Sequence, residues 1–230
     1  MSRPKQSEQQ VDLQETIKDT AWQQIAESGA AALSLRAIAR QLRITAPAIY
    51  NYYPRRDDLV TALITDAYMS MGDAQFRSLE TLPEDDHLGR LRALGIAYRE
   101  WAVTFPQRYQ LIFGTPIPGY HAPLEKTMPA ASRSLSSLID VLESARLAGR
   151  LFSESEPVLP SELINQLAAW QNIHPVGDVY VLYLALVIWG RVHGLTMMEI
   201  SNQYPPFIKN TGDIYRREIE MLIHNYLIEE

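Results

Sequence analysis

The stretch LSLRAIARQLRITAPAIYNYYPRRDDLV, residues 33–60, decides the fold. Leu35, Ile38, Ala39 and Leu42 recur at helical period, the apolar stripe of a short helix. Ser34 stands just before them as an N-cap, where its hydroxyl can accept from a free backbone amide. Arg43-Ile44-Thr45 interrupts the stripe, and Thr45 is the N-cap of a further short helix that tolerates Pro47 in its first turn. The run Tyr50-Asn51-Tyr52-Tyr53 would suit a strand on composition alone, yet its neighbours are helical. Read as a helix, Ile49 and Tyr52 are i, i+3, and so are Tyr50 and Tyr53, so the tyrosines divide between packing inward and pointing outward. Pro54 stops the helix, because a residue before proline avoids the α region. Arg56-Asp57-Asp58 opens a longer helix with acids in its first turn, where the helix dipole favours them. Two short helices joined by a three-residue turn have the outline of a helix-turn-helix.

The rest of the chain also reads at helical period. Upstream, Ile17, Ala21 and Ile25 share one face of a helix that stops at Ser28-Gly29, with the first ten residues a polar tail. Downstream, the helix opened at Arg56 runs on through Leu59, Leu63, Ile64 and Ala67 to about Glu80. Further helices are expected over His87–Phe105, Pro106–Phe113, Leu124–Gly149, from a cap at Ser161 to about His174, over Asp178–Asn202 and over Thr211–Ile228. The turn-rich TPIPGYHAP, residues 115–123, and the polar Gly149–Pro160 are loops. The expectation is an all-α protein: a flexible tail over 1–10, a helix-turn-helix domain over 11–58, and a larger helical bundle over 59–230.

Net charge is −6 over 230 residues, which by itself argues against nucleic acid. The distribution argues the other way: residues 1–60 carry eight Lys/Arg against seven Asp/Glu, while the remainder is acidic. Five arginines (Arg36, Arg40, Arg43, Arg55, Arg56) and no acid lie between Ser34 and Arg56, a local field able to attract phosphate, or else a solvated face. There is no cysteine, which removes disulfides, thiolate metal sites and a cysteine nucleophile. No apolar run reads as the roughly 18–20 residues a membrane helix needs, and the polar start has no secretory h-region. Enzyme chemistry finds little footing. HExxH and G-x-S-x-G are missing, Glu84-Asp85-Asp86-His87 follows Pro83 in a loop, and Glu220 with His224 reads as a surface pair. No cofactor or metal is implied.

Residues 17–64 resemble the DNA-binding domain of the tetracycline-repressor (TetR) family of bacterial regulators. The carriers are the helix ending at Ser28-Gly29, Ile38-Ala39 before the turn, Ile49-Tyr50-Asn51-Tyr52-Tyr53 in the recognition helix, and Arg56-Asp57-Asp58-Leu59 opening the next helix. The resemblance implies that Ser34 and Arg36 meet DNA at the start of the second helix. It turns Thr45, Ala46, Pro47 and Ala48 toward the major groove, with Asn51 on the same short helix. Tyr50 and Tyr52 fall at phosphate-contacting positions, and Arg56 replaces the usual phosphate-binding lysine. Two departures follow from the residues. Arg43 stands where the turn usually has glycine, so the turn is a non-glycine variant or carries strain. Ala46 and Pro47 offer no donors where many members are polar, which shifts readout toward thymine methyls, DNA shape and Arg36.

Trp189-Gly190-Arg191-Val192-His193-Gly194 resembles the Trp-His-Gly signature of one TetR subgroup, and residues 98–120 resemble that subgroup too. Physically, Trp189 and His193 are i, i+4 on one face, and Gly190 with Gly194 allows a close helix approach; His193 is then either a core histidine orienting Trp189 or a ligand contact. The resemblance implies a pocket inside the C-terminal bundle, with Trp101, Phe105, Tyr109, Phe113, Tyr120, Trp170, Tyr183, Trp189, His193 and Met197 as candidate liners, each of which could equally be core. It implies a homodimer joined through about Val179–Ser201 and Ile214–Leu227, a palindromic double-stranded operator, and release of DNA when a small hydrophobic or aromatic effector binds, all in the bacterial cytoplasm. The alternative is a TetR-fold sensor that no longer binds DNA.

Overall fold

The computed structural model describes residues 6–151 and 159–228, so most of the loop expected over residues 149–160 lies outside the described part. Among the described residues there are ten α-helices and no strand, only an isolated antiparallel bridge between Leu151 and Leu227. The helices are α1 (Gln6–Ser28), α2 (Leu35–Gln41), α3 (Ala46–Tyr52), α4 (Arg56–Leu79), α5 (His87–Thr104), α6 (Pro106–Phe113), α7 (Leu124–Leu147), α8 (Ser161–Gln171), α9 (Val179–Ile200) and α10 (Thr211–Tyr226). The all-α expectation holds, and most boundaries fall within a residue or two of the sequence signals.

The differences have physical reasons. α1 already begins at Gln6, inside the stretch expected to be a tail; its polar first turns carry no apolar period, so pattern alone does not find them. A 3-10 turn, Ala30–Ala32, fills the link between α1 and α2. Ser161 is the first helical residue of α8 rather than its cap; Pro160 precedes it and no side chain caps that end. Pro129 lies inside α7, where it withholds the amide that the carbonyl of Glu125 would accept. α9 is, by length and composition, apolar enough to cross a membrane, contrary to the reading of the sequence. One face of it is core, with Val181, Leu182, Leu184, Ala185, Ile188 and Val192 buried, and Arg191 and Glu199 on the same helix are ion-paired.

The chain divides into two compact units. The first comprises residues up to Ala67 together with Gln107–Pro129. There α2 and α3 pack on each other, and α2 on α1, around fully buried Ile17, Ala21, Ile38, Ile49, Leu59 and Leu63. The second comprises Tyr68–Pro106 and residues from Ala130 onward. In it α5, α9 and α10 pack mutually and α8 lies on α9, around Leu94, Tyr98, Leu142, Leu182 and Tyr215. The division cuts α4 after Ala67 and α7 after Pro129, so both helices contribute to each unit.

Candidate functional site

The reading head is built by two caps and a turn. The Ser34 hydroxyl accepts from the Ala37 amide at 3.4 Å and opens α2; the Thr45 hydroxyl accepts from the Ala48 amide at 3.4 Å and opens α3. Pro47 sits in the first turn of α3, as expected. Between the helices Arg43 has φ 55°, the left-handed conformation anticipated where glycine is usual. It is bridged by the Ile44 amide donating to the Ala39 carbonyl at 3.0 Å. An arginine there bears strain of roughly 1–2 kcal/mol and keeps a positive charge on the turn.

The tyrosines divide as the spacing requires. Ile49 is fully buried and Tyr53 nearly so, the latter accepting a hydrogen bond from Gln14 at 3.4 Å. Tyr50 and Asn51 are exposed and Tyr52 is half-buried. Thr45, Ala46 and Pro47 are exposed beside Ala48, and so are Arg36, Arg40 and Arg43. Arg56 is the exception. Its Nε donates to the Leu33 carbonyl at 3.1 Å, and its Nη2 donates to the carbonyls of Ala30 and Ala31 at 2.8 and 3.1 Å. Its Nη1 lies 3.7 Å from Asp57. The guanidinium expected on phosphate thus gives its Nε and Nη2 donors to the 3-10 turn and Leu33, holding the approach to Ser34 and Arg36 against the start of α4. Lys18 likewise faces inward, between Asp66 at 2.6 Å and Glu15 at 2.7 Å.

The second unit contains an apolar cavity of about 30 Å³, room for little more than water. Leu91, Leu94, Gly95 and Tyr98 of α5 line one side, Ile188, Trp189 and Val192 of α9 another, and Ile219 and Leu222 of α10 a third. Gln75 of α4 and Ser134 of α7 complete the wall, with the Ser134 hydroxyl donating to Gln75 Oε1 through a short contact. α5 and α10 meet closely beneath it, since a Cβ on Gly95 would lie 2.4 Å from Ile219 Cδ1.

Residues 17–63 match the family model for bacterial regulatory proteins of the tetR family, and residues 91–222 match that for the tetracyclin repressor-like C-terminal domain. The HTH-type transcriptional regulator Rv1816 of Mycobacterium tuberculosis is 32% identical over 210 residues, which cover 90% of this chain and 89% of that protein. The chain belongs to the TetR family. The crystal structure of SCO4313 is 31% identical, with a TM-score of 0.78 over 96% of this chain and 100% of that one. At 16% identity the likeness is one of fold alone to a transcriptional regulator from Saccharomonospora viridis solved with choline, with a TM-score of 0.63 over 95% of this chain and 100% of that one. As a TetR member this protein is a DNA-binding transcriptional regulator.

Within this TetR chain the ten aromatic and apolar candidates do not form one wall. Tyr109, Phe113 and Tyr120 belong to the first unit. There Tyr109 is fully buried with its ring 5.0 Å from that of Phe113, and the Tyr120 hydroxyl meets Thr61 at 3.0 Å. In the second unit Trp101 is core, its indole donating to Ser70 at 3.0 Å and its ring 5.8 Å from Phe105. Tyr183 stacks on Tyr180, Trp170 is half-buried on α8, and Met197 receives the Ser201 hydroxyl at 3.5 Å. Of the ten, Trp189 lines the cavity. His193 stands behind it, its ring 5.3 Å from Trp189 and its Nδ1 3.1 Å from the Tyr98 hydroxyl, and burial pushes its pKa down, favouring the neutral imidazole.

Aromatic content misses the polar members of the TetR cavity. Gln75 falls in the buried stripe Ala67, Met71, Gln75, Leu79, spaced i, i+4 along α4. A lone amide in an apolar stripe is the signal that could have found it, because a buried amide needs a reason to be there. Ser134 stands likewise between Ala130 and Leu138.

Proposed function

We propose that this TetR protein is a dimeric repressor whose α3 enters the major groove of a palindromic operator, and that an effector seated in the second unit releases it. The exposed set on α2 and α3 carries the reading: Arg36, Thr45, Ala46, Pro47, Tyr50 and Asn51 stand free at two capped helix starts, where groove-facing residues are needed. Tyr50 and Tyr52 supply hydroxyls for phosphate, while Arg36, Arg40 and Arg43 supply charge. Donor-poor Ala46-Pro47-Ala48 leaves base discrimination to methyl contacts, DNA shape and Arg36.

The dimer is supported by the outer stripe of α9. Leu186, Gly190 and Met198 are exposed there with Gly194 between them, at i, i+4 spacing, and a Cβ added at either glycine meets no atom within 4 Å. Ile214 of α10 is exposed too. Such a face suits a helix of a second copy, approaching closely over the glycines. The protein acts by binding rather than catalysis, in the cytoplasm where the DNA is. α4 contributes to both units, and an effector that favours one setting of that helix shifts DNA affinity by that preference and no more. That a protein of this fold was crystallised with choline supports a small-molecule effector in general.

Arg36→Ala and Tyr50→Phe test the reading head. Each is expected to weaken operator binding about tenfold, and Arg36→Ala to flatten the slope of log affinity against log salt by about one. Unchanged affinity and slope in both would refute the helix-turn-helix assignment.

A further inference from the structure

The cavity of the second unit has a wall chemistry that restricts what can enter it. None of the side chains lining it is a lysine, arginine, histidine or carboxylate; Tyr98 is its only titratable group, and its hydroxyl is already 3.1 Å from His193. A charged molecule placed there would lose its hydration and gain no counter-charge. One polar device remains. Gln75 and Ser134 both line the cavity and are more than nine-tenths buried, and the Ser134 hydroxyl donates to Gln75 Oε1, which leaves the Gln75 amide N–H as the donor available to an acceptor. An amide donor beside an otherwise apolar space favours a ligand that brings an acceptor to it.

We propose that the effector is an uncharged, largely apolar molecule carrying one hydrogen-bond acceptor, such as a ketone or ester oxygen, and that Gln75 is the residue that reads that oxygen. The inference rests on the effector site proposed above and names what that site selects. It also gives the ligand a hold on α4, because Gln75 lies on the helix that opens at Arg56. At about 30 Å³ the cavity in this structure is far below the roughly 300 Å³ of a typical ligand pocket, so the effector enters by parting the helices that line it. The α4 side of that opening is where its acceptor is held.

Four probes of matched shape test this on the full-length protein by titration calorimetry: butyrophenone, butylbenzene, 4-phenylbutyrate and 4-phenylbutylammonium. The expected order is the ketone tightest, the hydrocarbon about tenfold weaker, and both ions at least about a hundredfold weaker. Gln75→Leu is expected to weaken the ketone about tenfold while the hydrocarbon binds as well as before or better, which also shows that the variant is folded. Gln75→Leu/Ser134→Ala, which leaves no hydroxyl without its partner, should behave in the same way. Either ion binding as tightly as the ketone overturns the inference. So does unchanged ketone affinity in both variants, or no binding of the ketone at all. Wild-type DNA binding without probe is measured in parallel. Its absence would sink the regulator reading, whereas the wrong ligand order with DNA binding intact sinks only this inference.

Discussion

Arg56 stands at the position where charge and family resemblance both point to phosphate, and its donors instead close on Leu33, Ala30 and Ala31. Charge-assisted bonds to carbonyls are among the stronger side-chain bonds, and three from one guanidinium fix a loop. The consequence separates positioning from contact. Arg56→Gln should weaken DNA binding severalfold through the displaced start of α2, with the salt slope unchanged, because no phosphate contact is lost. Arg56→Lys should recover only part of the loss, since an ammonium cannot span the same three carbonyls in a planar fork. Salt titrations of both variants by fluorescence anisotropy check this; a slope reduced by about one in Arg56→Gln would return Arg56 to the phosphate. The sequence could not make this distinction, because the guanidinium's partners are backbone carbonyls 23 to 26 residues upstream, which no side-chain pattern marks. Arg43 was partly legible: the sequence left either a non-glycine turn or a strained one, and the positive φ of Arg43 is the strained one.

Elements were the most legible scale. Caps at Ser34 and Thr45 and stops at Gly29 and Pro54 come from one or two residues acting locally, and the structure uses these four, whereas the cap expected at Ser161 is instead the first residue of its helix. Tertiary pairing between elements was not legible. Arg99 of α5 grips Glu199 of α9 at 2.5 and 2.7 Å, Thr211 at the start of α10 donates to the same carboxylate at 2.7 Å, and Arg99 also lies over the ring of Tyr215. Burial pushes the Glu199 carboxyl upward, but Arg99 and Thr211 outweigh it and leave it below its ordinary value. This one network ties α5, α9 and α10, three of the five helices that wall the cavity. Removing its cation strands a largely buried carboxylate, so Arg99→Ala should destabilise the protein by about 3 kcal/mol or more. Arg99→Ala/Glu199→Ala should recover much of that loss. Urea denaturation of the variants measures it; an Arg99→Ala loss under about 1 kcal/mol would show the pair to be an ordinary surface ion pair.

For the molecule as a whole, the class of protein was readable and the site was only half readable. The helix-turn-helix carries its function in consecutive residues, so a single stretch of sequence exposes it. The cavity of the second unit is assembled from five helices, and its two buried polar residues, Gln75 and Ser134, are ordinary in sequence and unusual only by being buried. The aromatic residues that drew attention instead mostly complete local packing, as Tyr109 does with Phe113 and Trp101 does with Ser70. The central claim is that an acidic chain reads DNA as a symmetric pair of heads, using a small basic face. Selection of bound duplexes from a random DNA pool by the full-length protein tests it most directly. The account predicts enrichment of one two-fold symmetric sequence, with half-sites about one helical turn apart or a multiple of it, bound by one dimer and weakened steeply by added salt. Enrichment of no sequence, or of an asymmetric site bound by a single chain, would contradict it.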